Sequence, residues 1–124
     1  MLDTYRPHIL GILRIVAALV FMEHGTQKLF GFPGGKDPVD LMSLMGLAGI
    51  LETFGGLLLL IGFQTRITAF VLSGMMAVAY WMAHAPHSFY PLLNQGDAAI
   101  LFCFVFLYLV FAGPGSWSVD GARR

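Results

Sequence analysis

The chain alternates between four long apolar stretches and short segments rich in glycine, proline and polar residues. The apolar stretches cover about residues 8–30, 40–62, 67–85 and 97–112. Each approaches the roughly 20 apolar residues with which a helix spans the hydrocarbon of a bilayer. The pattern therefore predicts four transmembrane helices.

The segments between these stretches have the composition of turns and helix ends. The segment GFPGGKDPVD at 31–40 is dense in Gly, Pro and Asp, as loops are. The polar turn at 62–66 is short, so we expect the second and third helices to lie antiparallel. Pro86 ends the third helix, and Asp97 opens the fourth, where a carboxylate meets free N–H groups and the positive end of the helix dipole.

Composition assigns the chain to the membrane proteins. Of its 124 residues, 57% are hydrophobic and 11% are charged, against roughly 25% charged residues in a soluble domain. The mean hydropathy is +0.76. We therefore predict an all-α fold, a polytopic membrane protein whose four-transmembrane-helix bundle forms a single domain over residues 1–124. Its surroundings are the lipid bilayer.

The charge balance bears on partners and on orientation. Seven basic and seven acidic residues give a net charge of zero, and without a basic patch no nucleic-acid partner is predicted. Four helices place both termini on one side of the membrane. That side carries more basic residues than the other, Arg6, Arg66, Arg123 and Arg124 against Lys28 and Lys36. By the positive-inside rule both termini are predicted to be cytoplasmic, in a bacterial inner membrane.

Glu52 is the only ionisable side chain between Leu41 and Gln64. An acid inside the bilayer faces the interior of the bundle and marks a candidate functional site. Glu52 shares one face of its helix with Gly49 and Gly56, and small residues let a second helix approach closely. Glu52 is therefore expected in a helix contact.

Arg14 is the predicted partner of Glu52. If the first helix enters from the cytoplasm and the second from outside, Arg14 lies about 8 Å deep and Glu52 about 13 Å above the same edge. The axial gap of about 5 Å is within reach of an arginine. We expect a buried Arg14–Glu52 pair, which would set the local charge of a site or only fix the helices.

A second polar group collects near the outer ends of the helices. Its members lie within about two turns of the interface and comprise Glu23, His24, Lys28, Trp81, His84, Asn94 and Asp97. Histidine titrates near neutrality and can carry protons or hydrogen-bond a quinone head group. The group is a candidate ligand or proton site, and no catalytic residue is assigned within it.

Each of these residues also has a structural interpretation. Trp81, Tyr80 and Tyr90 suit the headgroup level as belt aromatics, Lys28 can extend to the interface, and the histidines can be plain interfacial residues. A haem held by His24 and His84 is disfavoured because no cofactor motif accompanies them. The single cysteine, Cys103, excludes an intramolecular disulfide and paired-cysteine metal sites, and no metal site is predicted.

The motifs of the chain, taken together, resemble those of the DoxX family of small bacterial membrane proteins. They run in order through most of the chain: Gly25 and Lys28, Glu52-x-x-Gly55-Gly56, Gly62-Phe63-x-Thr65-Arg66, Trp81-x-x-His84, Asn94-Gln95-Gly96-Asp97, and Gly113-Pro114-Gly115-x-x-Ser118-Val119-Asp120. Relatives often have Asn-Gly-Gly-Glu before the fourth helix, so Asn-Gln-Gly-Asp retains the amide and the acid.

The resemblance implies a four-helix membrane bundle associated with redox systems. Some relatives are subunits of thiosulfate:quinone oxidoreductase, and others join thiol-handling and superoxide-removing partners. On this basis we expect a subunit that binds a quinone or a similar apolar redox molecule between its helices, with His24, Lys28 and His84 at the head group. Electrons would come from a partner oxidoreductase, since the chain would not be active alone. The alternative is a non-catalytic membrane anchor or assembly factor. The sequence leaves open whether the chain is an enzyme subunit and whether it forms a homo-oligomer.

Overall fold

A computed structural model describes residues 1–122, and Arg123 and Arg124, which contributed to the predicted orientation, lie outside the described residues. The described chain is helical and contains no strand. Its α-helices are α1 (Arg6–Phe30), α2 (Leu44–Ile61), α3 (Thr65–Ala79), the single turn α4 (Pro91–Asn94), α5 (Asp97–Ala112) and the single turn α6 (Val119–Ala122). A 3-10 turn (Leu2–Tyr5) precedes α1.

Local signals explain where the helices begin and end. Pro7 lies in the first turn of α1, where its missing N–H breaks no helical bond. Gly31 and Gly62 end α1 and α2 with φ of 72° and 71°, a left-handed conformation that glycine adopts without strain. The helix α2 begins at Leu44 rather than near residue 40 because Ser43 is its N-cap, and its Oγ accepts a hydrogen bond from Gly46 N at 3.1 Å.

The third membrane span changes its winding before it ends. Helix α3 continues into a π-helical turn (Tyr80–His84) and then a 3-10 turn (Ala85–His87). The span from Thr65 to His87 is therefore continuous but not uniformly α-helical. A π turn moves the side chains that follow it around the helix axis, and such turns are frequent at functional sites.

The bundle is built from two closely packed antiparallel pairs, α1 with α2 and α3 with α5. Glycines set the approach of α1 and α2: a Cβ atom on Gly25 would lie 2.5 Å from Thr53 Oγ1, and one on Gly49 would lie 3.0 Å from Lys28 Cβ. The predicted small-residue face of α2 is thus a face that contacts α1.

Aromatic side chains join the two pairs. Phe21 on α1 meets Phe102 and Phe106 on α5 edge to face, with ring centroids 5.2 and 4.9 Å apart. The buried apolar core comprises Ala18, Phe21, Leu59, Ala69, Leu72, Met76, Ala99, Phe106 and Leu109. Most other large apolar side chains are exposed on the outer faces of the helices, as expected where the solvent is lipid.

The helices have the length and composition of membrane spans. Within residues 1–122, three helical segments are long and apolar enough to cross a bilayer, Leu2–Phe30, Leu44–Ile61 and Thr65–His87, and α5 is a shorter apolar helix. The predicted fold class, an all-α polytopic bundle of four apolar helices, is confirmed. We call the end that contains residues 1–14, 62–66 and 110–122 the terminal end, and the end that contains 24–46 and 80–97 the loop end.

Candidate functional site

Glu52 is buried between α1 and α2 and forms an ion pair with Lys28. Only 3% of the glutamate side chain and 22% of the lysine side chain are exposed. Lys28 Nζ donates a hydrogen bond to Glu52 Oε1. The acid therefore lies in a helix contact, as predicted, but with a different cation.

The predicted Arg14–Glu52 pair is wrong because the register of the two helices separates these residues. Gly25 lies level with Glu52, whereas Gly62 lies level with Arg14, so that a Cβ on Gly62 would be 3.2 Å from the guanidinium carbon. The roughly ten residues between Glu52 and Gly62 correspond to about 15 Å of helix. The prediction assumed that both helices end at the same level. Instead, α1 extends beyond α2 at the terminal end.

Arg14 is fully buried there and binds backbone carbonyls. Its guanidinium donates to the carbonyl oxygens of Pro114, Ser116 (3.2 Å) and Trp117 (2.7 Å). Three acceptors from one short segment match the planar, multi-donor shape of arginine. Arg14 is thus a structural residue that holds the end of the chain against the bundle.

The C-terminal segment, residues 113–120, closes the terminal end through further contacts. Ser116 N donates to Pro7 O at 3.0 Å. The carboxylate of Asp120 accepts hydrogen bonds from Gln64 N and Thr65 N, both at 2.8 Å, and so caps α3. This role of Asp120 was not predicted from the sequence. The available signal was that position 64, the N-cap of α3, carries a glutamine rather than Ser, Thr, Asp or Asn.

A second polar cluster lies at the loop end around Asn94, which is 4% exposed. Its Nδ2 donates to the Tyr80 hydroxyl (3.1 Å) and to Ser88 O (2.9 Å), and its Oδ1 accepts from Gly96 N (2.8 Å). His84 Nδ1 lies 3.1 Å from Asn94 O, and the rings of Tyr80 and His84 stack with centroids 6.3 Å apart. Tyr80 and His84 are four residues apart and lie on the same side of the span. We call Tyr80, His84 and Asn94 the loop-end triad.

Hydrogen-bond roles in the triad follow from the atoms involved. A carbonyl oxygen only accepts, so Nδ1 of His84 carries the proton toward Asn94 O, and Nε2 of the neutral ring is left as an acceptor. The Tyr80 hydroxyl accepts from Asn94 and retains its own proton to donate. The triad therefore offers one donor and one acceptor to a ligand.

Two apolar cavities adjoin this cluster, and Tyr80 and Trp81 line both of them. One, of about 340 Å³, is lined by Ala85, Ser88, Phe89 and Pro91. The other, of about 300 Å³, is lined by residues of α3 and α5 that include Met76, Ala99, Ile100 and Cys103. Trp81 lines both cavities and is 70% exposed. We call the two cavities together the Trp81 groove.

The remaining predicted site residues lie apart from the triad. Glu23 and His24 are exposed and line a shallow cavity of about 150 Å³ with Gln27 and Pro33. His24 Nδ1 lies 3.1 Å from Val20 O, and its ring packs on Phe102. Asp97 is exposed in the first turn of α5.

The predicted outer group is therefore divided into three. Lys28 contacts Glu52, His84 contacts Asn94, and Glu23 lies with His24. Within residues 1–122, no hydrogen bond, ion pair or ring contact joins these groups, and no cluster of three or more His, Cys, Asp or Glu side chains could hold a metal ion. Tyr80, which was interpreted from the sequence as a belt aromatic, belongs to the loop-end triad and was not among the predicted site residues.

Comparison with known proteins agrees with this architecture. The sequence profile of the DoxX family matches residues 9–85. An uncharacterized protein of Haemophilus influenzae is 42% identical over 126 aligned residues, which cover 96% of this chain and 93% of that protein. The inner membrane proteins YqjF and YphA of Escherichia coli are 29% and 28% identical, over 88% and 93% of this chain and 87% and 90% of theirs. No solved structure gives a significant match. By the profile match and by the similarity along its length, the chain belongs to the DoxX family.

Proposed function

We propose that this protein is a membrane subunit linked to redox chemistry, and that it binds a quinone or a similar apolar redox molecule in the Trp81 groove. The observation that carries the proposal is the position of the loop-end triad: a polar network around the buried Asn94, in which Tyr80 lines an apolar groove at the end of a membrane span. Ligand sites are typically apolar cavities with a few well-placed polar groups.

The triad has the hydrogen-bonding capacity that a quinone head group requires. The Tyr80 hydroxyl would donate to a carbonyl oxygen of the oxidised form, and Nε2 of His84 would accept from a hydroxyl of the reduced form. Asn94 is a positioning residue, since its amide fixes Tyr80 and its main-chain oxygen fixes the tautomer of His84.

The groove would hold the apolar part of the same ligand. Trp81 and Phe104 provide aromatic surfaces for stacking, and Met76 is an adaptable side chain that fits irregular ligands. The groove opens on the outside of the bundle, where an isoprenoid tail would continue into the lipid. Of the predicted head-group residues, His24 and Lys28 do not line this groove, and the proposal retains only His84.

We further propose that the protein lies in the bacterial inner membrane with both termini in the cytoplasm. The relatives named as inner membrane proteins support the first point, and the excess of arginine near the termini supports the second. The Trp81 groove would then open toward the periplasmic headgroups. With a single cysteine, the chain has no dithiol of its own, so electrons would come from a partner oxidoreductase.

Tryptophan fluorescence tests the proposal. The chain has two tryptophans, so Trp117→Phe leaves Trp81 as the only reporter. A short-tailed benzoquinone titrated into this variant in detergent should quench the fluorescence with saturation. His84→Ala and Asn94→Ala should each weaken binding by about fivefold, the value of one hydrogen bond.

His24→Ala is the matched control, because His24 is a histidine at the same end but outside the triad. It should leave the quenching curve unchanged. Quenching that rises linearly without saturation, or that is the same in His84→Ala, would show that the quinone only partitions into the micelle and would overturn the proposal.

A non-catalytic anchor or assembly factor is the second candidate function. The terminal end favours it, because Arg14 is fully buried there and donates its hydrogen bonds to carbonyls of its own chain. Under this alternative the triad is only a structural network, and no quinone titration saturates.

A further inference from the structure

A crevice separates α1 from α5 at the terminal end. It has a volume of about 430 Å³ and lies between Arg6 and Leu10 on α1 and Tyr108 and Ala112 on α5. The C-terminal segment forms its inner wall through Pro114 and Gly115. This site is at the opposite end of the bundle from the Trp81 groove and does not depend on the proposed function.

The crevice exists because α1 and α5 make few direct contacts between the Phe21 aromatic cluster and the terminal end. The C-terminal segment fills the inner part of the gap so tightly that a Cβ on Gly115 would lie 2.6 Å from Gly11 N. The outer part stays open. Ile9 and Phe111, which adjoin Leu10 and Ala112 in the sequence, are 63% and 75% exposed, so the crevice lies at the lipid-facing surface of the bundle.

The polar groups of the crevice lie where lipid headgroups begin. Arg6 is the first residue of α1, and Tyr108 lies one turn before the end of α5. The Arg6 side chain is 74% exposed, and it forms an ion pair with the side chain of Asp3, which is 81% exposed. Exposed pairs of this kind are weak, so the guanidinium can turn its donors to another anion.

Tyr108 supplies a second donor. It is 54% exposed, and its hydroxyl has no hydrogen-bond partner among residues 1–122. Leu10 and Ala112 supply apolar walls below these two polar groups. A basic group at the mouth of an apolar crevice between membrane helices is the arrangement that binds anionic lipid headgroups.

We propose that this crevice binds one anionic phospholipid. The phosphate lies against the guanidinium of Arg6 and the hydroxyl of Tyr108, and an acyl chain runs along Leu10 and Ala112. The guanidinium suits a phosphate because it presents parallel N–H donors to two oxygens.

Native mass spectrometry tests this site. The protein, purified in a neutral detergent, is incubated with phosphatidylglycerol or with phosphatidylethanolamine of the same acyl chains, and lipid adducts are counted. The wild type should retain phosphatidylglycerol preferentially. Arg6→Gln should reduce that retention by about fivefold, the contribution of one basic residue near a membrane surface.

Three further variants and a competition with inorganic phosphate distinguish the lipid site from general charge effects. Lys36→Gln removes an exposed positive charge at the loop end and should leave retention unchanged. Asp3→Asn frees Arg6 and should increase it, and Tyr108→Phe should reduce it while the ring stays in place. Millimolar inorganic phosphate should not displace the lipid, because the acyl chain contributes to binding.

Melting temperatures in lipid-free detergent verify that each variant is folded, since Arg6→Gln removes only an exposed ion pair. Equal retention of the two lipids by the wild type would overturn the proposal. So would equal reductions in Arg6→Gln and Lys36→Gln, or full displacement by inorganic phosphate.

Discussion

At the scale of single residues, each buried charge of this bundle has its own means of compensation. Glu52 is paired with a side chain, Lys28, whereas Arg14 is compensated by backbone carbonyls. The two environments therefore differ in which polar group loses its partner when the cation is substituted. Removal of Lys28 leaves a carboxylate in an apolar contact, whereas removal of Arg14 leaves carbonyl groups without a donor.

The Lys28–Glu52 pair should behave as a buried ion pair. Lys28→Met leaves the Glu52 charge uncompensated and should lower the free energy of unfolding by about 3 kcal/mol or more. The double variant Lys28→Met/Glu52→Leu removes both charges and should recover most of that stability. Thermal unfolding in detergent measures both. A double variant less stable than either single variant would contradict the pairing.

Arg14 should not be replaceable by lysine. Arg14→Lys keeps the charge but cannot present several planar donors to the carbonyls of Pro114, Ser116 and Trp117. We expect the C-terminal segment to loosen, which limited proteolysis detects as earlier cleavage within residues 113–120. Lys36→Arg, an exposed change at the loop end, is the control. Equal cleavage of Arg14→Lys and the wild type would argue against this role.

The prediction that Arg14 is the partner of Glu52 was wrong because the sequence does not specify the register of α1 against α2. That Glu52 and Arg14 would be buried followed from their apolar surroundings in the sequence. The axial register of α1 against α2 decides whether Lys28 or Arg14 lies next to Glu52. No single residue specifies that register. The register follows from close contacts such as Gly25 on Thr53 and Gly56 on Met22, which become visible only once the helices are packed.

At the scale of elements, the positions of the four main helices followed from sequence because apolar stretches of membrane length with Gly and Pro at their ends are strong signals. Two features of the helices could not be predicted from the sequence. The π turn at Tyr80–His84 has no distinctive residue that marks it in the sequence. The cap of α3 comes from Asp120, more than fifty residues away, and such a distant contact leaves no local pattern.

Glycines on the helices should differ sharply in their tolerance of a methyl group. Gly25→Ala places a Cβ 2.5 Å from Thr53 Oγ1 and should destabilise the α1–α2 contact by about 1–3 kcal/mol. Gly74→Ala is the matched control, because nothing lies within 4 Å of its Cβ position, and replacing glycine in a helix should be neutral or stabilising. Thermal unfolding compares the two. A loss of stability in Gly74→Ala as large as in Gly25→Ala would contradict the packing described.

The cap of α3 should be measurable on its own. Asp120→Ala removes the acceptor for Gln64 N and Thr65 N and should cost about 1 kcal/mol. Hydrogen exchange at residues 64 and 65 should accelerate, while exchange in the first turn of α2, capped by Ser43, should not. Unchanged exchange at residues 64 and 65 would exclude the cap.

At the scale of the whole molecule, the two ends of the bundle differ in kind. The terminal end carries the C-terminal segment, which is hydrogen-bonded to α1 and α3, and the crevice between α1 and α5. The loop end carries the triad, the Lys28–Glu52 pair and the Trp81 groove. In a bundle whose outer surface is mostly apolar, the triad places hydrogen-bonding groups beside the apolar Trp81 groove at the loop end.

The proposed orientation assigns these ends to opposite sides of the membrane. In a Cys103→Ser background, a cysteine at the exposed position Phe89 should react with a membrane-impermeant maleimide added to intact cells. A cysteine at the exposed position Leu2, at the terminal end, should react only after the cells are permeabilised. The opposite labelling would reverse the topology.

The quinone content of the purified protein tests the central claim most directly. Protein isolated in mild detergent from bacterial membranes is extracted, and the quinone is quantified by chromatography and by its absorption spectrum. We predict near-stoichiometric quinone in the wild type and in His24→Ala, and its absence from the double variant Tyr80→Phe/His84→Ala. Only trace quinone in the wild type, or equal amounts in the wild type and the double variant, would contradict the assignment of the Trp81 groove as a quinone site.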